Sequence, residues 1–395
     1  SPTIEHCNII SGNASQSSQG IRSVTSSPTI KFSSIQAGEA SSSIGIYNSG
    51  SIELVSSEVE TSFGGSNTIG MQNNQATEVI VDNSSISSQG LNSSGFYGYS
   101  YGIHNIDSSS TITDSNIIAK GGGPTSSLGA TLGTRAIYEN SSNSVITGNS
   151  IQSLECAFAG SGVAYYATNS PSVLINNQIS TTSGASLAYG LYLSSSNMVV
   201  AGNVINMGRI SFGGPVYGIY SLNSNPLILN NSIEGGDSGA ADETSYGIYL
   251  GSGSAVLSNN IIYSKASRGP RYGIYSSTGT VMPKHISHNA FFDLTTAWFA
   301  PQGATGVYYV TQASEFTTSR TGLDESKMIG NIGEPVGTED PLWSTTSVFN
   351  GYSSNDYSLN SGTSDSLKFG GVSLTSSLIQ AYIDELGVTY SVTSL

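Results

Sequence analysis

Six stretches of this chain, VITGNSI, VLINNQI, VVAGNVI, LILNNSI, AVLSNNI and HISHNAF, share one order: an aliphatic residue, two variable positions, asparagine, one variable position, a hydrophobic residue. Aligned on it, Asn149, Asn177, Asn203, Asn231, Asn259 and Asn289 fall in one column. The same frame continues towards the N-terminus through Ser115, Ser84, Ser57, Ser33 and Cys7, which makes eleven rungs. A small residue marks each rung 12 to 14 positions earlier, from Gly20 through Ala136 and Ala164 to Gly247. Because this second distance is nearly constant while the repeat length runs from 24 to 34 residues, the variation falls in loops.

An in-register column of asparagine has a physical use. The amide both donates and accepts, so identical side chains stacked at a strand spacing of about 4.8 Å can bond one another. Asparagine also tolerates the left-handed backbone of a sharp bend between strands. Each rung then reads as strand, turn, strand, asparagine bend, strand and return loop, which is a parallel β-solenoid.

With these motifs in hand, the V-I-x-N-N-x-I cadence resembles right-handed parallel β-helix proteins of the pectate-lyase-like superfamily, which includes many bacterial surface proteins. The resemblance spans about residues 1–310 and implies an all-β fold of about eleven rungs with an Asn/Ser ladder. Residues 311–395 are expected to form a C-terminal capping region. There EDPLW and NDYSL resemble the closing rungs of bacterial β-helix proteins, including spirochaete-type lipoproteins, and LIQAYIDELG is expected to be a short amphipathic helix over the open core. The scaffold carries many chemistries and many non-enzymes, so function has to come from the residues.

In the enzymes of that superfamily the substrate groove runs along the first sheet, which corresponds here to the YGLY and YGIY strands. Alternation sends Leu191, Ile219, Ile248 and Ile274 inward and Tyr192, Tyr220, Tyr249 and Tyr275 outward. The outer column extends back through Tyr166, Tyr138, His104, Gln72, Tyr47 and Arg22, and forward to Tyr308, with the glycine markers expected as an outer floor beside it. Stacked aromatics on an exposed face suit sugar rings or a protein partner, so Tyr138, Tyr166, Tyr192, Tyr220, Tyr249 and Tyr275 are the candidate ligand-binding residues. The structural alternative is that identical rings in register only stabilise each other and shield the glycines.

Candidates for catalysis are few. Glycoside hydrolysis needs carboxylates a few ångströms apart, and lyase chemistry needs a base beside a group that neutralises the substrate acid. The outer columns contain no Asp or Glu. Arg268 and Arg271, around Gly269 and Pro270, are the nearest approach to a basic cluster, and a solvated turn is the plainer reading. His285 and His288 are three apart, a separation that points strand side chains to opposite faces, and Asp237, Asp242 and Glu243 read as an acidic return loop. No catalytic residue, metal site or cofactor is expected.

Only 10% of residues are charged and the formal net charge is −14, which makes nucleic acid an improbable partner. The two cysteines, Cys7 and Cys156, lie five rungs apart, roughly 24 Å at strand spacing, beyond the reach of a disulfide. No apolar stretch is long enough to span a membrane. Ser1 falls in a rung already under way, so an upstream segment is expected to have been removed. The sequence therefore points to a non-catalytic extracellular or bacterial cell-surface protein of structural or adhesive role, offering its tyrosine face and loops to a glycan or protein. A polysaccharide-degrading enzyme using loop carboxylates is the alternative, and self-association head to tail into a filament is a third reading.

Overall fold

The computed structural model describes residues 1–90, 98–121, 133–154, 160–182, 187–208, 213–237, 243–264, 269–278, 281–301, 309–321 and 323–333. Ile210, Val336 and the strands Phe349–Gly351 and Asp356–Leu359 are also described. The solenoid consists of three parallel sheets with very little helix. One sheet has eleven strands, from Thr3–Glu5 through Val199–Ala201 to His285–Ser287, each paired in parallel with the strand one rung away. The other two are joined where the single strand Glu58–Asn74 runs through both.

The order within a rung follows from residues 187–207. Leu187–Ser194 carries the tyrosines, a bend follows at Ser195 and Ser196, Val199–Ala201 lies in the eleven-stranded sheet, and a second bend at Gly202 and Asn203 leads into Val204–Met207. Each strand contributes at least one aliphatic side chain to the interior. Leu191, Val200 and Ile205 are all fully buried, and their counterparts Ile219, Ile228 and Ile233 stack on them one rung along. Burial of each such side chain contributes roughly 1.5–3 kcal/mol, so the interior columns supply the main stabilisation of a chain with few charges.

At the asparagine bend two adjacent positions divide the work. The left-handed residue is the one before the ladder: Gly148, Asn176, Gly202, Asn230, Asn259 and His288 all have positive φ. The ladder residue follows it. Asn177 accepts from the backbone N–H of Asn149 at 2.9 Å and from its amide at 3.0 Å, and Asn203 and Asn231 repeat both bonds one rung later. The expectation that the ladder asparagine itself takes the left-handed conformation is therefore corrected.

One register is corrected as well. Asn259, with φ 59°, occupies the left-handed place, and the ladder residue of that rung is Asn260, which accepts from Asn231 and donates to Asn289. AVLSNNI offers two consecutive asparagines, and the pairing of Leu257 with Ile286 shows that its frame lies one residue later. The ladder also takes one more rung in the segment expected as a cap: Asn289 donates to Asn331, and Ile332–Gly333 pairs with Ala290–Phe292.

In the N-terminal rungs serine performs the same bond with a shorter arm, as Ser33 N–H donates to Ser57 Oγ and Ser57 N–H to Ser84 Oγ, each at 3.1 Å. Cys7 holds the first ladder place through its N–H to Ser33 Oγ, and its side chain is exposed; Cys156 lies outside the described residues. A second ladder runs down the other bend. Ser108, Ser142, Ser170, Ser196 and Ser224 each accept from the backbone N–H of the rung before. Two of the three corners of the solenoid are thus pinned by side chains that satisfy otherwise buried N–H groups.

At the C-terminal end Phe316 packs against Trp298 and Phe291, with ring centroids 6.3 and 6.2 Å away, and Leu323 packs on the same core. The segment LIQAYIDELG lies outside the described residues.

Candidate functional site: a herringbone of tyrosines

The Tyr-Gly-Leu/Ile-Tyr strands do not alternate through their whole length. In Leu187–Ser194 both Tyr189 and Tyr192 are partly exposed, while Gly190 and Leu191 between them are both buried. A Cβ placed on Gly190 would lie 2.5 Å from the carbonyl oxygen of Gly218 and 2.5 Å from Ile205 Cγ2. The glycine therefore marks an inward kink, where the chain presses against the next rung and the facing strand, and the expected outer glycine floor is corrected. The kink turns the tyrosine before it outward too, which strict period-two reasoning misses.

Two columns of tyrosine result. In one, Tyr166, Tyr192, Tyr220, Tyr249 and Tyr275 stack at centroid distances of 4.6, 5.0, 5.0 and 5.3 Å with interplanar angles of 15° or less. In the other, Tyr189, Tyr217, Tyr246 and Tyr272 stack at 5.0, 5.1 and 5.5 Å. Between columns the rings meet edge to face, at 84° for Tyr189 with Tyr192 and 82° for Tyr217 with Tyr220. A strand spacing of about 4.8 Å is wider than the ~3.5–4.0 Å at which carbon atoms attract best. Opposite tilts of the two stacks close that gap and give the near-right angle between them.

The arrangement decides what the surface can offer. A ring in the middle of a stack has neighbours on both faces, so edges and phenolic hydroxyls remain for a ligand. Burial and the neighbouring phenols push Tyr192 and Tyr246 up to about 12, and Tyr189 and Tyr217 higher still, so these hydroxyls are neutral donors at physiological pH. The column places after Tyr272 and Tyr275 are taken by Ala297 and Ala300; Tyr308 lies outside the described residues.

At the other end Tyr138 meets Tyr166 edge on, at 88°, because a cation intervenes. Arg135 lies 4.4 Å from the Tyr166 centroid and 4.8 Å from that of Tyr138, and donates to Tyr101 Oη at 3.3 Å. His104 stacks on Tyr101 and Tyr138, both at 4.8 Å. Burial, with Arg135 beside it, depresses His104 to about 4, so the imidazole is neutral and the guanidinium is the charge of this patch.

The remaining candidates do not converge on a site. Arg271 opens the strand Arg271–Ser276 and donates to the Ser264 carbonyl at 3.4 Å, while Arg268 and Asp242 lie outside the described residues. His285 is in a strand and His288 is in the left-handed bend position. No group of three or more His, Cys, Asp or Glu among the described residues could hold a metal ion. Of the soft donors, Met198 and Met207 are sealed in the core and Met282 packs against it. No helix among the described residues is long and apolar enough to cross a membrane.

No curated protein and no solved structure matches the chain. Residues 128–320, just under half of the sequence, match the family model described as periplasmic copper-binding protein (NosD), a right-handed β-helix family. The likeness covers the rungs that carry the herringbone and extends to their β-helical build, while the described residues there form no group of three or more His, Cys, Asp or Glu that could hold a metal ion.

Proposed function

We propose that this protein is a non-catalytic binding rod of the cell envelope or extracellular space, whose tyrosine herringbone docks an extended glycan. The observation that carries the reading is the paired column from Tyr189 and Tyr192 to Tyr272 and Tyr275. It is a flat strip of phenolic edges repeating at strand spacing, with no Asp or Glu at any register place of either column. A polymer of hydroxylated rings meets such a strip with hydrogen bonds at each repeat and little ordering cost, because the side chains are already fixed by one another. The periplasmic setting of the similar family supports an extracytoplasmic location.

The test is retention on a panel of insoluble polysaccharides, with the soluble phase assayed for chain cleavage. Retention that falls when Tyr192, Tyr220 and Tyr249 are changed together to phenylalanine, with no released fragments, supports the reading. Fragment release would establish an enzyme, and retention on none of the panel would leave a protein partner as the occupant of this face.

A further inference from the structure

The left-handed place at the asparagine bend is filled rung by rung by residues that suit it, Asn, Gly, Asp, Ser and His, with one exception. Phe32 has φ 49° and is 52% exposed. A bulky aromatic in this conformation is strained, and exposure gives it no burial in return. Asparagine or glycine there would serve the bend better, so the needs of the bend do not account for the ring.

Its surroundings indicate which. One face of the ring stacks on His6 of the preceding rung, with centroids 5.2 Å apart and planes 12° from parallel. The corresponding residue of the following rung is Ser56, too short to cover the other face, and its hydroxyl is engaged by the Asn83 amide at 3.0 Å. Beyond it opens a groove of about 720 Å³, bordered by Phe32 and lined by Glu58, Asn83, Ser85, Asp114 and Asn116. Register places Ser34, Glu58, Ser85 and Asn116 in one line along its side. The groove thus combines an open aromatic face with carboxylates, amides and hydroxyls, and no Lys or Arg lines it.

We propose that this groove is a subsite for a neutral pyranose of an oligosaccharide. The apolar face of the sugar lies on the open face of Phe32, and its hydroxyls bond to Glu58 one rung on, while Asn116, two rungs further along the groove, is left for the next sugar of the chain. Uronic acids and phosphates are disfavoured by the two carboxylates and the absence of a lining cation. The site lies at a corner of the solenoid, far in sequence from the tyrosine herringbone, and does not depend on the function proposed for that face.

The experiment is saturation-transfer NMR on the whole chain with cellohexaose, xylohexaose, mannohexaose and chitohexaose, for the parent and for Phe32→Asn, Phe32→Tyr and Glu58→Gln. Transfer to at least one oligosaccharide is expected. It should disappear in Phe32→Asn, persist in Phe32→Tyr, and weaken roughly tenfold in affinity in Glu58→Gln. Phe32→Asn should remain folded and melt close to the parent, because relief of the strained backbone offsets the lost stack on His6. Transfer to none of the four, or transfer that survives in a folded Phe32→Asn, would overturn the proposal.

Discussion

Asn105 donates its side-chain amide to Glu139 Oε1 at 2.7 Å, so a buried column of Asn48, Asn73 and Asn105 ends on a carboxylic acid. Glu139 is fully buried, also accepts from Ser144, and is followed one rung on by Ala167. Burial raises its pKa from 4.5 to about 7 against the pull of those hydrogen bonds.

The sign of the consequence follows from proton binding. Between about pH 4.5 and 7 the native chain holds this proton more tightly than the unfolded one, so stability falls as pH rises through that window and is level above it. Glu139→Gln keeps an acceptor for Asn105 and abolishes the ionisation. The variant should be more stable than the parent at pH 8, by up to about 3 kcal/mol, and equal to it below pH 4.5. Thermal unfolding across that range checks both ends.

The two neighbouring asparagines of the AVLSNNI rung should behave differently. Asn260 accepts from Asn231 and donates to the Ile228 carbonyl and to Asn289, so Asn260→Ala leaves several buried groups without partners. Each costs about 1–3 kcal/mol, and the loss should be large enough to register as a clear drop in denaturation midpoint. Asn259→Gly, which keeps the left-handed backbone, should lower it by less than Asn260→Ala does.

Tyr220 separates packing from hydroxyl chemistry. Tyr220→Ala removes stacking on Tyr192 and Tyr249 and edge contacts with Tyr189 and Tyr217, each worth about 0.5–1.5 kcal/mol, and should lower the melting temperature. Tyr220→Phe retains all four ring contacts and should melt with the parent.

An alkaline titration followed by tyrosinate absorbance should show a late step: Tyr192 and Tyr246, pushed up from 10 chiefly by burial, should not ionise until about pH 12. Because their folded values are raised, stability should decline as pH climbs above 10, and the late ionisation should coincide with loss of the β signal in circular dichroism.

The solenoid, its parallel sheets and most of its asparagine ladder were legible because identical hydrogen-bonding residues recurred with aliphatic neighbours at fixed offsets. Asn259 misled because two asparagines in succession leave the frame ambiguous, and only strand pairing chooses between them. The serine ladder from Ser108 to Ser224 was hidden by composition, since serine crowds the whole chain and no single column stands out. Tyr189, Tyr217, Tyr246 and Tyr272 were assigned no role because alternation sends them inward. The signal was the glycine after each, which breaks the alternation where a side chain would strike the next rung. The sequence held no comparable cue for Phe32, whose significance depends on a backbone angle.

The stacking of like on like has a consequence for how such a chain changes over generations. The rungs beginning at Leu187, Val216 and Ser245 present the same groups at the same register to the rung above and the rung below. Duplication of one whole rung would therefore insert a unit whose asparagine, interior aliphatics and tyrosines find ready partners on both sides. It would lengthen the rod by a single strand spacing of about 4.8 Å. The length of this protein is a quantity that in-frame duplication can adjust in small, nearly neutral steps, and a longer or shorter version would keep the same surface pattern at a different reach.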